Sequence, residues 1–391
     1  MNNFAQDDHD EDELEDELKD AGVEERVETS DSRDADKDSP ETDKKESRLH
    51  AFFQKKWVRM IRRLGMGLLI IGTAISIYWN LIPGTFDVEE AARYRAERYE
   101  HREPDQPLPR GYRTTSVMIH LADQLFTKQG GYMSNDWNPM SKIPDNMRSW
   151  EYGYVTQLRI MVQGLRYELS RSGPNSQEHE SLRLAESKFN FTHDSLLLPS
   201  SESQYQEGIR LLETYLNNLN SASSEAKYFA ARQDMVIRWL ERQKVMLGNY
   251  TAQLQRNVGP STFDVGVLTQ DVSTMTPFLD AAKEDSDAVH GFFERDDIFY
   301  QVRGGAYVMY HVMLAMRTDC EELFNSAKAM GIVNRVLNEL ENANNPMRSP
   351  MVLNGKEFGF VQNHSMVMAA HLAKAHLAIQ ELQLQISGGG N

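Results

Sequence analysis

The sequence predicts an all-α protein, with a single N-terminal transmembrane helix followed by a multi-helix bundle. Three observations predict this class. Apolar residues recur at alternating spacings of three and four, one uncharged run is long enough to cross a bilayer, and no segment sustains the period-two pattern of a half-buried strand. The 391 residues carry a formal net charge of −16 and one cysteine.

The elements follow in chain order. Residues 1–46 hold twenty Asp or Glu against six Lys or Arg and few aromatic or β-branched residues. Such a segment buries too little apolar surface to offset its chain entropy, so residues 1–63 are expected to be a disordered acidic cytoplasmic tail with a basic juxtamembrane end. Leu64–Ile82 is then a run of nineteen residues without a charge. As a helix it measures about 28 Å, close to the thickness of a hydrocarbon core.

Arg48, Lys55, Lys56, Arg59, Arg62 and Arg63 precede this run, whereas Asp87, Glu89 and Glu90 come before the first cation after it, Arg93. The positive-inside rule therefore puts the N-terminus in the cytoplasm. A cleaved leader rarely has sixty residues ahead of its apolar core, and Ile82-Pro83-Gly84-Thr85 is a poor cleavage site, so a signal anchor is expected. Trp57, Tyr78 and Trp79 sit near the two interfaces.

Residues 83–110 read as a stalk or linker: a charged helix over Phe86–Arg102, then Pro104, Pro107 and Pro109. A helical periplasmic domain is expected over 111–391, with a possible subdomain boundary near 259–277. Its first helix, Thr115–Thr127, ends at Gly130-Gly131, a pair suited to positive φ. Asp145 or Asn146 starts the next helix, whose stripe is Val155, Leu158, Val162, Leu165 and Leu169. Ser201 and Gln204 have capping-box spacing ahead of the stripe Tyr205, Ile209, Leu212, Leu216 and Leu219. One long helix is expected over Ser224–Arg256, two more over Ile298–Ala329 and Gly331–Asn342. A last one carries Met368, Leu372, Ala375, Ile379, Leu382 and Ile386. Cys320 falls in an apolar pattern and reads as a small buried hydrophobe; alone, it allows no intrachain disulfide.

Four constellations bear on chemistry. Asp136, Asp145 and Glu151 flank a turn-rich segment and are candidates for a cation site or an acid–base pair. Asx turns and an N-cap demand the same residue types, and that structural reading is favoured. His193-Asp194-Ser195 has the letters of a hydrolase triad, but triad members meet through folding rather than adjacency. Ser224-Glu225-Ala226-Lys227 matches S-x-x-K without the K-T-G element that accompanies it in penicillin-interacting enzymes. His364, His371 and His376 lack the spacing of four usual for zinc on one helix. No cofactor or metal is expected, and the net negative charge argues against nucleic-acid binding.

The strings GGYMSND at 130–136, DNMRSWEYG at 145–153, SRSGPNSQ at 170–177, FNF at 189–191 and LPSSESQY at 198–205 occur in this order. With the preceding span, they resemble a bacterial family known as domain of unknown function 2333, over roughly Gly111 to the C-terminus. The resemblance implies an envelope protein anchored in the inner membrane, and it brings no activity and no catalytic residue. Ser170-Arg171-Ser172-Gly173-Pro174 departs from the SRSQSQ-like pattern of that family, which weakens a direct role for the loop after Arg171.

The expected function is therefore an envelope interaction or scaffold module, held by the lipid bilayer through residues 64–82 and bound to an unidentified envelope protein. Candidate partner- or ligand-binding residues are Asn135, Asp136, Asp145, Asn146, Trp150, Glu151, Arg171, Ser201 and Tyr205. The alternatives are an envelope hydrolase using the carboxylates near Asp136–Glu151, or a periplasmic ligand sensor relaying through the acidic tail.

Overall fold

The computed structural model describes residues 41–79, 81–103, 105–135, 145–171, 178–220, 229–258, 292–347, 352–354 and 362–388. It is all-α: among these residues the β contribution is a single bridge between Asn354 and Asn363. Contacts divide the chain into two units, 1–66 and 67–391.

The first helix, α1, runs Glu41–Trp79 and passes through the boundary between the units. In the first unit its described part is a helical segment with exposed Lys55, Lys56, Arg59, Arg62 and Arg63. The expectation of a disordered tail over 1–63 is thus corrected from Glu41 onward; residues 1–40 lie outside the described residues. The apolar run also stops at Trp79 rather than Ile82, with the Leu81 amide closing a turn on the Tyr78 carbonyl. Lys55–Trp79 is long and apolar enough to cross a membrane, with mean hydropathy 1.5 and 6% of its most apolar window buried. A core helix of this composition would be covered by neighbours, whereas Leu68, Leu69, Ile70 and Ile71 are all exposed.

In the second unit, α2 is Val88–Glu100, α3 Tyr112–Thr127, α4 Asp145–Gly164, α5 Glu180–Phe189 and α6 Ser201–Asn220. Then come α7 Gln233–Val258, α8 Phe292–Asp319, α9 Glu321–Ser326, α10 Met330–Ala343 and α11 His364–Gly388. One apolar core runs through the unit and takes buried residues from both sides of 259–277, a stretch that is itself outside the described residues. The central pair is α4 with α8; α7 and α10 meet α8 and carry α11 between them, α3 meets both α8 and α6, and α5 of the α5–α6 hairpin meets α4. The stripes expected on α4, α6 and α11 are buried.

The expected stalk is part of this core. Asp87 caps α2 by accepting from the Glu89 and Glu90 amides, and Val88, Ala92 and Ala96 are buried against α3 and α8. Arg95 sits between Asp123 and Glu213. The charged surface that suggested a linker is one face of an amphipathic helix; its small apolar face is too short for periodicity to be read. Upstream, the Phe86 amide donates to His311 Nε2 at 3.3 Å, the two rings stack at 4.2 Å, and the Tyr307 hydroxyl donates to the Gly84 carbonyl. Because His311 Nε2 accepts, its proton resides on Nδ1, which reaches the Tyr307 carbonyl.

Three helix boundaries differ from expectation. The helix expected from Ser224 starts at Gln233, after Ala231 at φ 37°, while Ser224–Lys227 lies outside the described residues. The helix expected over 298–329 breaks at Asp319, whose carboxylate turns away to accept from the Thr114 amide and hydroxyl at the start of α3. Ser200, rather than Ser201, caps α6, since its hydroxyl accepts from the Ser203 amide.

Candidate functional site

The motif residues gather where α3 ends, α4 begins and the α5–α6 corner turns. α3 stops because Gly130 and Gly131 take φ values of 81° and 68°, which reverses the chain and brings Tyr132–Asn135 across the first turns of α4. Glu151 is fully buried there. Its carboxylate accepts from the Met133 amide at 2.9 Å, the Ser134 amide at 2.7 Å and the Ser134 hydroxyl at 2.6 Å. The Lys128 ammonium lies 2.6 Å from Oε1, the oxygen that also accepts from Met133, with side-chain exposures of 1% and 0%, and also donates to the Gly131 carbonyl. Arg148 closes the turn on the Ser134 carbonyl.

The corner between α5 and α6 is fastened to this turn. Asn135 Nδ2 donates to the Ser195 carbonyl, and the Tyr132 hydroxyl donates to the His193 carbonyl at 2.5 Å. Ser201 Oγ accepts from the Ser195 amide and donates to the Thr192 carbonyl. Arg159 donates to the carbonyls of Phe189 and Phe191 and to the Tyr205 hydroxyl. Burial holds the Tyr132 phenol well above its ordinary range, raises that of Tyr205 and pushes the His193 imidazole down. The residues thus braced present an apolar tip: Leu196, Leu197 and Leu198 are 54%, 80% and 96% exposed.

Four of the five sequence strings therefore meet in one block, and several of their polar groups point inward as braces. Asn135, Glu151, Ser201 and Tyr205 belong to it. Trp150 is fully buried beside it against Tyr154, Tyr307 and the backbone of Gly304. Asn146 is half-buried in the first turn of α4. Asp136 and the Asp145 side chain lie outside the described residues. Arg171 is elsewhere, 3.7 Å from Glu178, beyond the π-helical turn Leu165–Leu169 that ends α4. Sequence reasoning missed Lys128, Tyr132, Ser134 and Arg159. Lys128 stands two residues before the glycine pair, across the turn from the carboxylate it meets.

The remaining constellations separate. The Asp194 carboxylate accepts from the Thr192 hydroxyl and Ser195 Oγ donates to the Pro199 carbonyl, so His193-Asp194-Ser195 forms a corner instead of a relay. His364 Nδ1 accepts from the Leu353 amide, His371 pairs with Glu339 at 2.7 Å, and His376 meets the Lys244 carbonyl. Among the described residues no group of three or more His, Cys, Asp or Glu side chains is placed to hold a metal ion. Cys320 is buried, and burial pushes its thiol far up.

Two buried groups on α8 give opposite pH slopes. Burial pushes the Asp319 carboxyl up to about 6, against lowering hydrogen bonds from Thr114. Burial pushes His311 down to about 4. A raised carboxyl stabilises the native state fully below its unfolded pKa of 3.8, and that contribution is lost as pH rises through about 6. A lowered imidazole contributes above its unfolded pKa of 6.5, and that is lost as pH falls through about 4. Each shift corresponds to roughly 3 kcal/mol. Asp319→Asn is therefore expected to make stability climb more steeply from acid to neutral pH, and His311→Gln to make it climb less or fall. Urea unfolding of the full-length protein in detergent across that range tests this; parallel curves for the two variants would count against it.

The chain belongs to the bacterial family described as "Uncharacterized protein conserved in bacteria (DUF2333)", which matches residues 53–389. No curated protein and no solved structure matches it.

Proposed function

We propose that this is a single-pass protein of the bacterial inner membrane whose helical domain faces the periplasm and serves as a non-enzymatic docking module. It binds another envelope component through the corner that carries Leu196–Ser200. The observation that supports this best is the fate of Glu151. An acid–base carboxylate needs a face open to substrate, whereas Glu151 is sealed among Lys128, Met133 and Ser134. The braces around it produce a firmly mounted apolar tip on the outside, a feature associated with interaction surfaces rather than with catalysis.

The basic residues from Lys55 to Arg63 support a cytoplasmic N-terminus. The overall negative charge makes nucleic acid an unfavourable partner. A hydrolase reading would now rest on Asp136 and Asp145 without Glu151.

A photo-crosslinking side chain at Ser200, in the full-length protein in its own membranes, tests the docking role. An adduct with a defined envelope component, protein or phospholipid, is expected. Labelling no stronger than from Leu384, an exposed leucine on α11, would overturn it. A reporter fused at the C-terminus should be active only outside the cytoplasm; activity inside would invert the orientation.

A further inference from the structure

We infer that the Leu196–Leu198 tip inserts into the surface of the bilayer that α1 crosses, giving the domain a second membrane contact. This deepens the docking role and rests on the reading of α1 as the anchor. The first support is position. Trp79, the last residue of α1, packs on Gly130, where an added Cβ would lie 3.1 Å from the indole. Gly130 begins the turn that holds the corner: Tyr132 donates to the His193 carbonyl, and Asn135 to that of Ser195. The end of the span, the end of α3 and the base of the tip are thus linked by successive direct contacts. A tryptophan at the end of a span sits at headgroup level, so the tip starts from the same level.

The second support is chemistry. Three consecutive leucines stand exposed, and Tyr78 and Leu81 at the span's end are exposed as well. The segment 189–209 contains no Lys or Arg, while Asp194 and Glu202 flank the tip. Attraction to anionic headgroups is therefore not the driving force; apolar insertion among uncharged lipids is. A protein partner would be expected to meet a polar rim with hydrogen-bonding groups facing outward. Here Asn135, Ser201 and Tyr205 are turned inward, and the exposed polar groups, Thr192, Asp194 and Ser203, lie at the base of the tip in sequence rather than among its leucines. The anchor also removes the need for tight binding, because a tethered tip samples the surface at high effective concentration.

The test uses the full-length protein in vesicles of phosphatidylcholine and phosphatidylethanolamine, with a fluorophore on a single introduced cysteine. Cys320 stays unlabelled because it is buried and its thiol is pushed up. Leu197→Cys should show blue-shifted emission and several-fold stronger quenching by shallow lipid-borne nitroxides than Leu384→Cys. Leu384 is the right control, since its neighbour Gln385 bonds Ala327, in the turn beyond the Asp319 cap on the opposite end of α3. Quenching at 197 should be unaffected by salt, and Leu196→Asp with Leu198→Asp should lower it to the control level. Ile70→Cys, quenched by deep nitroxides, reports the anchor by itself. A quenched Ile70 with a water-exposed position 197 overturns the tip contact and leaves the anchor standing. An unquenched Ile70 overturns the anchor reading and the inference together. Shielding of 197 only when other membrane proteins are present assigns the tip to a protein partner and overturns lipid insertion.

Discussion

Glu151→Ala is expected to cost the domain at least roughly 4 kcal/mol, a large fraction of the stability of an ordinary domain. The change leaves the Lys128 ammonium buried without its counter-charge, a loss of about 3–5 kcal/mol in comparable pairs. It also orphans the amides of Met133 and Ser134, each at roughly 1–3 kcal/mol. These terms overlap, so the sum is an upper bound. Lys128→Met should cost less, because Glu151 keeps both amides and the Ser134 hydroxyl while the methionine fills the lysine's apolar volume. Glu151→Gln should fall between them, since one amide oxygen still accepts but its NH2 faces other donors. Urea midpoints and amide exchange of residues 192–200, measured on the full-length protein in detergent, check the order. Equal losses for Glu151→Ala and Lys128→Met would mean that the ion pair alone, rather than the cradle of amides, matters.

Gly153→Ala is the second large expected loss. A Cβ there would lie 1.7 Å from the Gln301 carbonyl oxygen, and one on Gly304 would lie 2.1 Å from that of Trp150. The obstacle in both cases is backbone, which cannot rotate aside, so α4 and α8 must separate along the most heavily packed seam of the bundle. Overpacking of this kind costs about 1–3 kcal/mol and more where neither side can yield; a loss of roughly 3 kcal/mol or failure to fold is expected. Gly331→Ala, early in α10 with nothing within 4 Å of the added carbon, should be neutral or stabilising by up to about 1 kcal/mol. A midpoint for Gly153→Ala that matches Gly331→Ala would refute the close-packed seam.

These two sites show how much of the protein was legible. Helices were, because the stripes on α4, α6 and α11 repeat within one segment and need no knowledge of partners. Boundaries decided by distant groups were not. Asp319 ends α8 because Thr114, two hundred residues away in sequence, uses its carboxylate. Gly153 stood in a motif string, yet its role is a close approach to Gln301 that local pattern does not encode. Glu151 was singled out for its possible chemistry, and the same acidity proves suited to gathering amides and one ammonium. The lysine that completes the pair sits on the far side of a turn, where spacing carries no signal. α2 was taken for a linker because its charges are the visible part of it and its three small buried residues are not.

The clasp of Gly84 and Phe86 on Tyr307 and His311 has a mechanical consequence. Between Trp79, seated on Gly130, and Gly84, fixed by Tyr307, the chain has only four residues, a leash of at most roughly 17 Å even if drawn straight. On so short a connection the end of α1 cannot swing away from the bundle, so any tilt of its last turns is felt there.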